Sequence, residues 1–421
     1  MNRQRSAAAL ALGLVFAVVA VAPPGPTGLS KGDGSAFAQT QSKAKPKPRP
    51  RLKAKPKPAA KQAQKKGLPP RVQFTQEDQA AAIIPGFENA RVWGDTAADF
   101  RKLLPSSKGP WLALSGGGAD GAFAAGVLTG WTQSGNRPDF TVVTGVSIGA
   151  LLAPYAFIGA KYDEELRTAI TTITGADIFE DRATPESFLD TWPLRRFIEK
   201  RVTAALVAEV AAEHRKGRRL LVVTTNVDAG RRVIWDMGAI AEKGDDKALK
   251  LFRDVLMASS AIPGFFQPVL IDVEANGKTF QEMHIDGSVT SPFFVVPEAL
   301  LEAGSGGPLP ATELYIIVNA KLVPDFYVPE RNTVQILSRL IGVVLKAGLQ
   351  AELMLFAANA QRIGVPIKAA QISDSFQHPA YGLFDEKYMN ALYDYGVDRA
   401  RKGTAFEPVP PLSGELRSGQ Q

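Results

Sequence analysis

The 421-residue chain has no cysteine and only three histidines, His214, His284 and His378. The first absence excludes disulfides, thiolate catalysis, cysteine-ligated metals and lipoprotein acylation. The second means that a three-histidine metal site would need every histidine in the chain. Acidic residues are almost missing at the start: before residue 72, fifteen Lys or Arg stand against one acid, Asp33. The remaining 34 basic and 41 acidic residues leave the rest at net −7. The overall +7 therefore belongs to a tail, and it gives no case for nucleic-acid binding by the folded part.

The N-terminus carries Arg3 and Arg5, then an uncharged apolar run from Ala7 to Ala22. Sixteen residues make about 24 Å of helix, short for a membrane span. A charged start, an apolar middle and the small-residue exit Ala36-Phe37-Ala38 predict a secretory signal over residues 1–38, and hence a secreted or periplasmic protein. An uncleaved N-terminal anchor is the alternative. Residues 43–66 are Lys, Arg, Pro, Ala and Gln with one leucine and no acid. Residues 39–71 are accordingly expected to be a disordered linker, either a plain spacer or a transient contact for an anionic membrane surface.

From Val72 the composition becomes globular, and one domain is expected over 72–405, with a flexible tail at 406–421. Trp111–Leu114, Phe140–Thr144, Leu220–Thr225 and Leu314–Asn319 read as buried strands, and Gly121–Thr132 and Gly149–Ile158 as helices. Strands alternating with helices predict an α/β fold with a largely parallel sheet covered on both faces. Thr333–Gln361 reads as a long helix whose apolar face is assigned to the core, with a membrane contact as the alternative.

Gly145-Val146-Ser147-Ile148-Gly149 lies between an apolar strand and an apolar helix, the setting that a nucleophile elbow requires. The sharp turn would lift the Ser147 hydroxyl to the N-terminus of the following helix, where negative charge is favoured. Upstream, Ser115-Gly116-Gly117-Gly118-Ala119-Asp120-Gly121 also joins a strand to a helix. Consecutive glycines let several N–H groups point at one anion. The chain lacks a Walker lysine at the right spacing and a dinucleotide-binding glycine pattern with its acid. The loop therefore makes better sense as an oxyanion hole, with Gly116, Gly117, Gly118 and Ala119 as candidates and Ile148 N–H as a further donor. The base is left open between Asp286 acting directly and His284 oriented by Asp286, since the two share a strand face in His284-Ile285-Asp286-Gly287-Ser288. His378 sits in a loop setting typical of the surface, and His214 at a charged helix end. Phe265, Phe266, Phe293 and Phe294 are either core or an acyl channel.

A glycine-rich loop, then Gly-x-Ser-x-Gly, then Asp-Gly, in that order, resembles the patatin-like phospholipases. Thr224–Asp228 and Ala258–Pro268 are similar to further stretches of that family, so the resemblance runs from about Trp111 to Ser288. It implies a three-layer α/β/α patatin-like fold with a central, mostly parallel sheet. It implies a Ser147–Asp286 dyad without histidine, no cofactor or metal, and an acyl-enzyme route to hydrolysis of phospholipids or other acyl-ester lipids. Two positions depart from the family: Asp120 replaces a basic residue in the oxyanion loop, and Ser288 follows Asp286-Gly287. Two rival readings stand beside this one: an α/β-hydrolase esterase with a histidine base, and a non-catalytic envelope-binding protein on a hydrolase fold.

Overall fold

The computed structural model describes residues 68–301, 309–324, 326–380 and 384–408, with the backbone alone for 360–363. The expected secretory signal, nearly all of the linker and residues 409–421 lie outside the described residues. The strands are β1 (Arg91–Trp93), β2 (Gly109–Leu114), β3 (Val142–Val146), β4 (Arg219–Asn226), β5 (Arg231–Asp236), β6 (Val269–Ala275), β7 (Lys278–Asp286), β8 (Ala311–Val318), β9 (Ile367–Gln371) and β10 (Glu407–Pro408). The helices are α1 (Gln76–Ala80), α2 (Ala97–Phe100), α3 (Gly121–Gln133), α4 (Ile148–Ile158), α5 (Asp163–Thr171), α6 (Trp192–Arg201), α7 (Ala204–Arg215), α8 (Met237–Ala241), α9 (Asp246–Ser259), α10 (Thr333–Ile363) and α11 (Glu386–Arg401).

The strands form one sheet in the order β1-β5-β4-β3-β2-β8-β9-β10, with the β6–β7 hairpin joined to β4 through β7. The central five, β4-β3-β2-β8-β9, are parallel, and the antiparallel pairs lie at the flanks. Alternation along the strands feeds two cores. Leu112, Leu114, Val143, Leu220 and Val222 pack under α3, α4, α7, α9 and α11. Trp111, Ala113, Val142, Val146, Leu221 and Val223 pack against residues 293–296 and α10. Burial on both faces is why these strands read as near-continuous apolar runs, and it makes the three-layer α/β/α arrangement. The small residues of α3 let it meet α11 backbone to backbone: a Cβ at Gly126 would stand 2.1 Å from the Tyr393 carbonyl oxygen.

Some boundaries differ from the sequence expectation. The second strand starts at Val142, because the Phe140 ring turns inward against Trp131 and Tyr315 before pairing begins. Residues 406–408, expected to belong to the tail, are part of the fold: Phe406 packs on Trp131 and Glu407–Pro408 pair with β9. At the other end, Arg71, assigned to the linker, bonds both carboxylate oxygens of Asp228.

One topological detail builds the site. β3 pairs with the first part of β4, ending at Val146 opposite Val223. β4 continues for three more residues, and β7 runs antiparallel along them, with Asp286 opposite Thr224. β5 occupies the other edge of β4 through residue 226, so β7 takes the lane that β3 has just left. Parallel β3 and antiparallel β7 thus point their C-terminal ends at each other, one delivering residue 147 and the other residue 286.

Candidate active site

Ser147 takes φ 55° and ψ −124°, one of three non-glycine residues with positive φ among the described residues. Such a conformation persists only where its surroundings hold it. Here the Ser147 N–H donates to Ser259 Oγ at 3.0 Å, and the Ser259 hydroxyl donates to the Val223 carbonyl at 2.7 Å. Ser259, at the end of α9, is fully buried and ties the elbow to β4. Its role was not legible beforehand, although it falls in the Ala258–Pro268 segment. Ser259→Ala should lower kcat by roughly tenfold with KM retained, and cost about 1–3 kcal/mol of stability, because it leaves a buried N–H unpaired. An unchanged kcat would mean that the sheet alone holds the strained turn.

The Ser147 hydroxyl donates to Asp286 Oδ2 at 2.6 Å. The other carboxylate oxygen, Oδ1, accepts from the Ser288 N–H at 2.8 Å. Both side chains are buried. Burial pushes the Asp286 carboxyl up to about 6, against the Ser147 and Ser288 hydrogen bonds that lower it. The carboxylate's immediate partners are a hydroxyl and an amide N–H, and its desolvation comes from burial.

His284 does not reach Ser147. Its Nε2 faces the Glu282 carboxylate at 3.2 Å and its Nδ1 faces Thr224 Oγ1 at 3.0 Å, with the ring edge-on to Trp235. Burial holds its pKa below the ordinary value, so it is neutral. A carboxylate only accepts, so Nε2 carries the proton and the Thr224 hydroxyl donates to Nδ1. The arrangement with His284 as base is therefore not made. His378 is exposed and stacked on Phe376, and His214 lies beside Asp236 and Glu242.

The glycine loop abuts the elbow: a Cβ at Gly116 would sit 3.3 Å from Ser147 Cβ and 2.5 Å from Ser288 Oγ. Asn319 clamps the loop from the end of β8. Its N–H donates to Ser115 Oγ, its Nδ2 to the Ser115 carbonyl, and its Oδ1 accepts from Ala124 N–H. Of the four candidate oxyanion residues, Gly116 donates its N–H to the Pro292 carbonyl at 3.0 Å, a bond that holds the loop. Among the described residues, no backbone carbonyl accepts from the N–H groups of Gly117, Gly118 or Ala119. Asp120 accepts from the Tyr388 hydroxyl at 2.6 Å, which ties its carboxylate to α11. Phe266, Phe293 and Phe294 are buried core, whereas Phe265 lies partly exposed beneath α10. A cavity of about 50 Å³ adjoins the loop, lined by Gly116, Gly117, Ser288 and Asn319 on one side and Leu345 and Leu349 of α10 on the other.

Residues 112–298 match the model of the family described as Patatin-like phospholipase. Over this segment the chain is similar to the patatin-like phospholipases. The patatin-like domain spans both Ser147 and Asp286, and the family supports lipid acyl hydrolysis in general, with lipids as substrates. Among solved structures, VipD from Legionella pneumophila is 11% identical, with 72% of this chain and 68% of that chain covered and a TM-score of 0.34. No curated protein matches.

Proposed function

We propose that the protein is a serine lipid acyl hydrolase in which Ser147 is the nucleophile and Asp286 its base. The observation that carries this reading is the 2.6 Å bond from the Ser147 hydroxyl to a buried carboxylate. Asp286 takes the hydroxyl proton as the oxygen attacks an ester carbonyl. The N–H groups of Gly117, Gly118 and Ala119 hold the oxyanion, and the alcohol leaves with a proton. Water then cleaves the acyl-enzyme by the same groups in reverse. A carboxylate raised toward 6 is a stronger base than an ordinary aspartate and is still ionised at neutral pH. On this reading the enzyme is also exported, which the charged start, the apolar run and the Ala36-Phe37-Ala38 exit support.

A fluorophosphonate probe tests the nucleophile. Wild type should be labelled and should release fatty acid from phospholipid. Ser147→Ala should show no labelling and turnover lower by about 10⁴-fold or more. Labelling that survives Ser147→Ala would place the reactive hydroxyl elsewhere. An unlabelled wild type would favour the non-catalytic binding protein.

A further inference from the structure

α10 is apolar on both its inner and its outer side, unlike an ordinary surface helix. Its inner side behaves as expected: Leu349, Leu353 and Phe356 enter the second core, and Ile341 packs on Ile262, Phe265 and Val289 beside the candidate site. Its outer side is apolar as well. Ile336, Leu340, Val343, Ala347, Ala351 and Met354 recur every three or four residues, and all are exposed. This stripe is about 27 Å long at the rise of an α-helix. The segment leading into the helix adds Phe326, 95% exposed, and Val328, 71% exposed. Contiguous exposed apolar surface of this extent marks an interaction site.

The charges say what covers it. From Thr333 to Asn359 the helix carries Arg339, Lys346 and a single acid, Glu352. Glu352 turns inward to accept from the Ser291 hydroxyl at 2.9 Å, and burial pushes its carboxyl up to about 8, so it adds no negative charge at neutral pH. An apolar stripe on a helix with two cations and one inward-turned acid fits an interface of acyl chains under phosphate head groups. The helix is long and apolar enough to cross a membrane, but 33% of its most apolar stretch is buried in the fold, which favours lying on a bilayer over spanning it. The inner side of the same helix walls the cavity beside Gly116, Gly117 and Ser288.

We infer that the outer face of α10, with Phe326 and Val328, docks the protein flat on a phospholipid surface and sets the catalytic cavity against it. This deepens the proposed function, since it names how a lipid hydrolase would reach an aggregated substrate. The face is separate from the catalytic groups, so it can be tested apart from them.

The test uses full-length Ser147→Ala protein and phosphatidylcholine vesicles at high salt, a condition that suppresses binding by the basic N-terminal stretch. The protein should co-sediment with the vesicles. Leu340→Glu/Val343→Glu/Met354→Glu should weaken that binding on the order of tenfold or more, and the corresponding triple Ser variant should weaken it in the same direction. In the catalytically intact chain, both triples should keep turnover of a soluble short-chain ester within about twofold of wild type. Unweakened vesicle binding in the triples, or no binding by the parent, overturns the inference. Loss of soluble-ester turnover in both triples also overturns it, by making the stripe structural. A parent dimer that the triples convert to monomer, without vesicle binding, assigns the face to a second copy of the chain. If the parent binds vesicles while wild type hydrolyses no ester, the proposed function fails and the docking surface stands.

Discussion

Asp286→Asn should lower kcat by about 10³- to 10⁴-fold while leaving the protein at least as stable as wild type at neutral pH. Asparagine keeps the shape and can still meet the Ser147 hydroxyl and the Ser288 N–H, but it cannot take a proton. The stability half follows from the direction of the Asp286 shift. Its folded pKa, about 6, lies above its ordinary 3.8. The folded state therefore binds that proton more tightly than the unfolded chain does. The stability this provides is whole below about pH 3.8 and is lost as pH rises through about 6, at a cost of at most about 3 kcal/mol. The asparagine side chain carries no charge to desolvate, so the variant should gain on wild type as pH rises and lose that advantage in acid. Activity runs the other way: the acid limb of wild-type kcat/KM should fall below about pH 6, as the base becomes protonated. Ser147→Ala removes a hydrogen bond that lowers the Asp286 pKa, so that titration should move further up, which carboxyl-resolved NMR would register. Activity of Asp286→Asn within tenfold of wild type would remove Asp286 from the role of base.

The sequence announced the parts of the site whose geometry is local. Gly145 to Gly149 and Gly116 to Gly118 must turn sharply between apolar segments, and turn chemistry is written in adjacent residues. The meeting of Ser147 with Asp286 is not local. It depends on β4 outrunning β3 by three residues and on β7 entering the vacated lane, and a single strand says nothing about its neighbour's length. For the same reason Ser259 and Asn319 stayed silent: each acts through hydrogen bonds to segments far away in sequence. The β6–β7 hairpin, by contrast, was readable and missed beyond its last residues. Asn276-Gly277 supplies the two left-handed residues of a tight turn, with φ of 51° and 74°. α10 taught a further limit. Periodicity located its buried side, but a helix that is also apolar outward gives the same signal, and only its packing separates the two faces.

Gly117→Ala should be the most damaging small substitution in the oxyanion loop, with kcat lower by about 10²- to 10³-fold and a stability loss of roughly 3–5 kcal/mol. Gly117 has φ 153°, which side chains rarely adopt, and a Cβ there would stand 2.2 Å from the Asn319 carbonyl oxygen and 2.7 Å from its Cβ. Neither neighbour can withdraw cheaply. Asn319 is the last anchor of β8 and holds Ser115 by two bonds and Ala124 by a third. Relief must therefore come from rotating the Gly117–Gly118 peptides, and that rotation turns the proposed donors away from the carbonyl. Asp120→Asn is the contrasting case three residues on. Its partner is the Tyr388 hydroxyl on α11, an uncharged acceptor can keep that bond, and kcat should change by less than about threefold. Circular dichroism, melting temperature and single-turnover acylation on the two variants separate the outcomes. A folded Gly117→Ala that acylates at the wild-type rate would mean that the oxyanion is held by other amides, with the N–H of Ile148 at the start of α4 the next candidate.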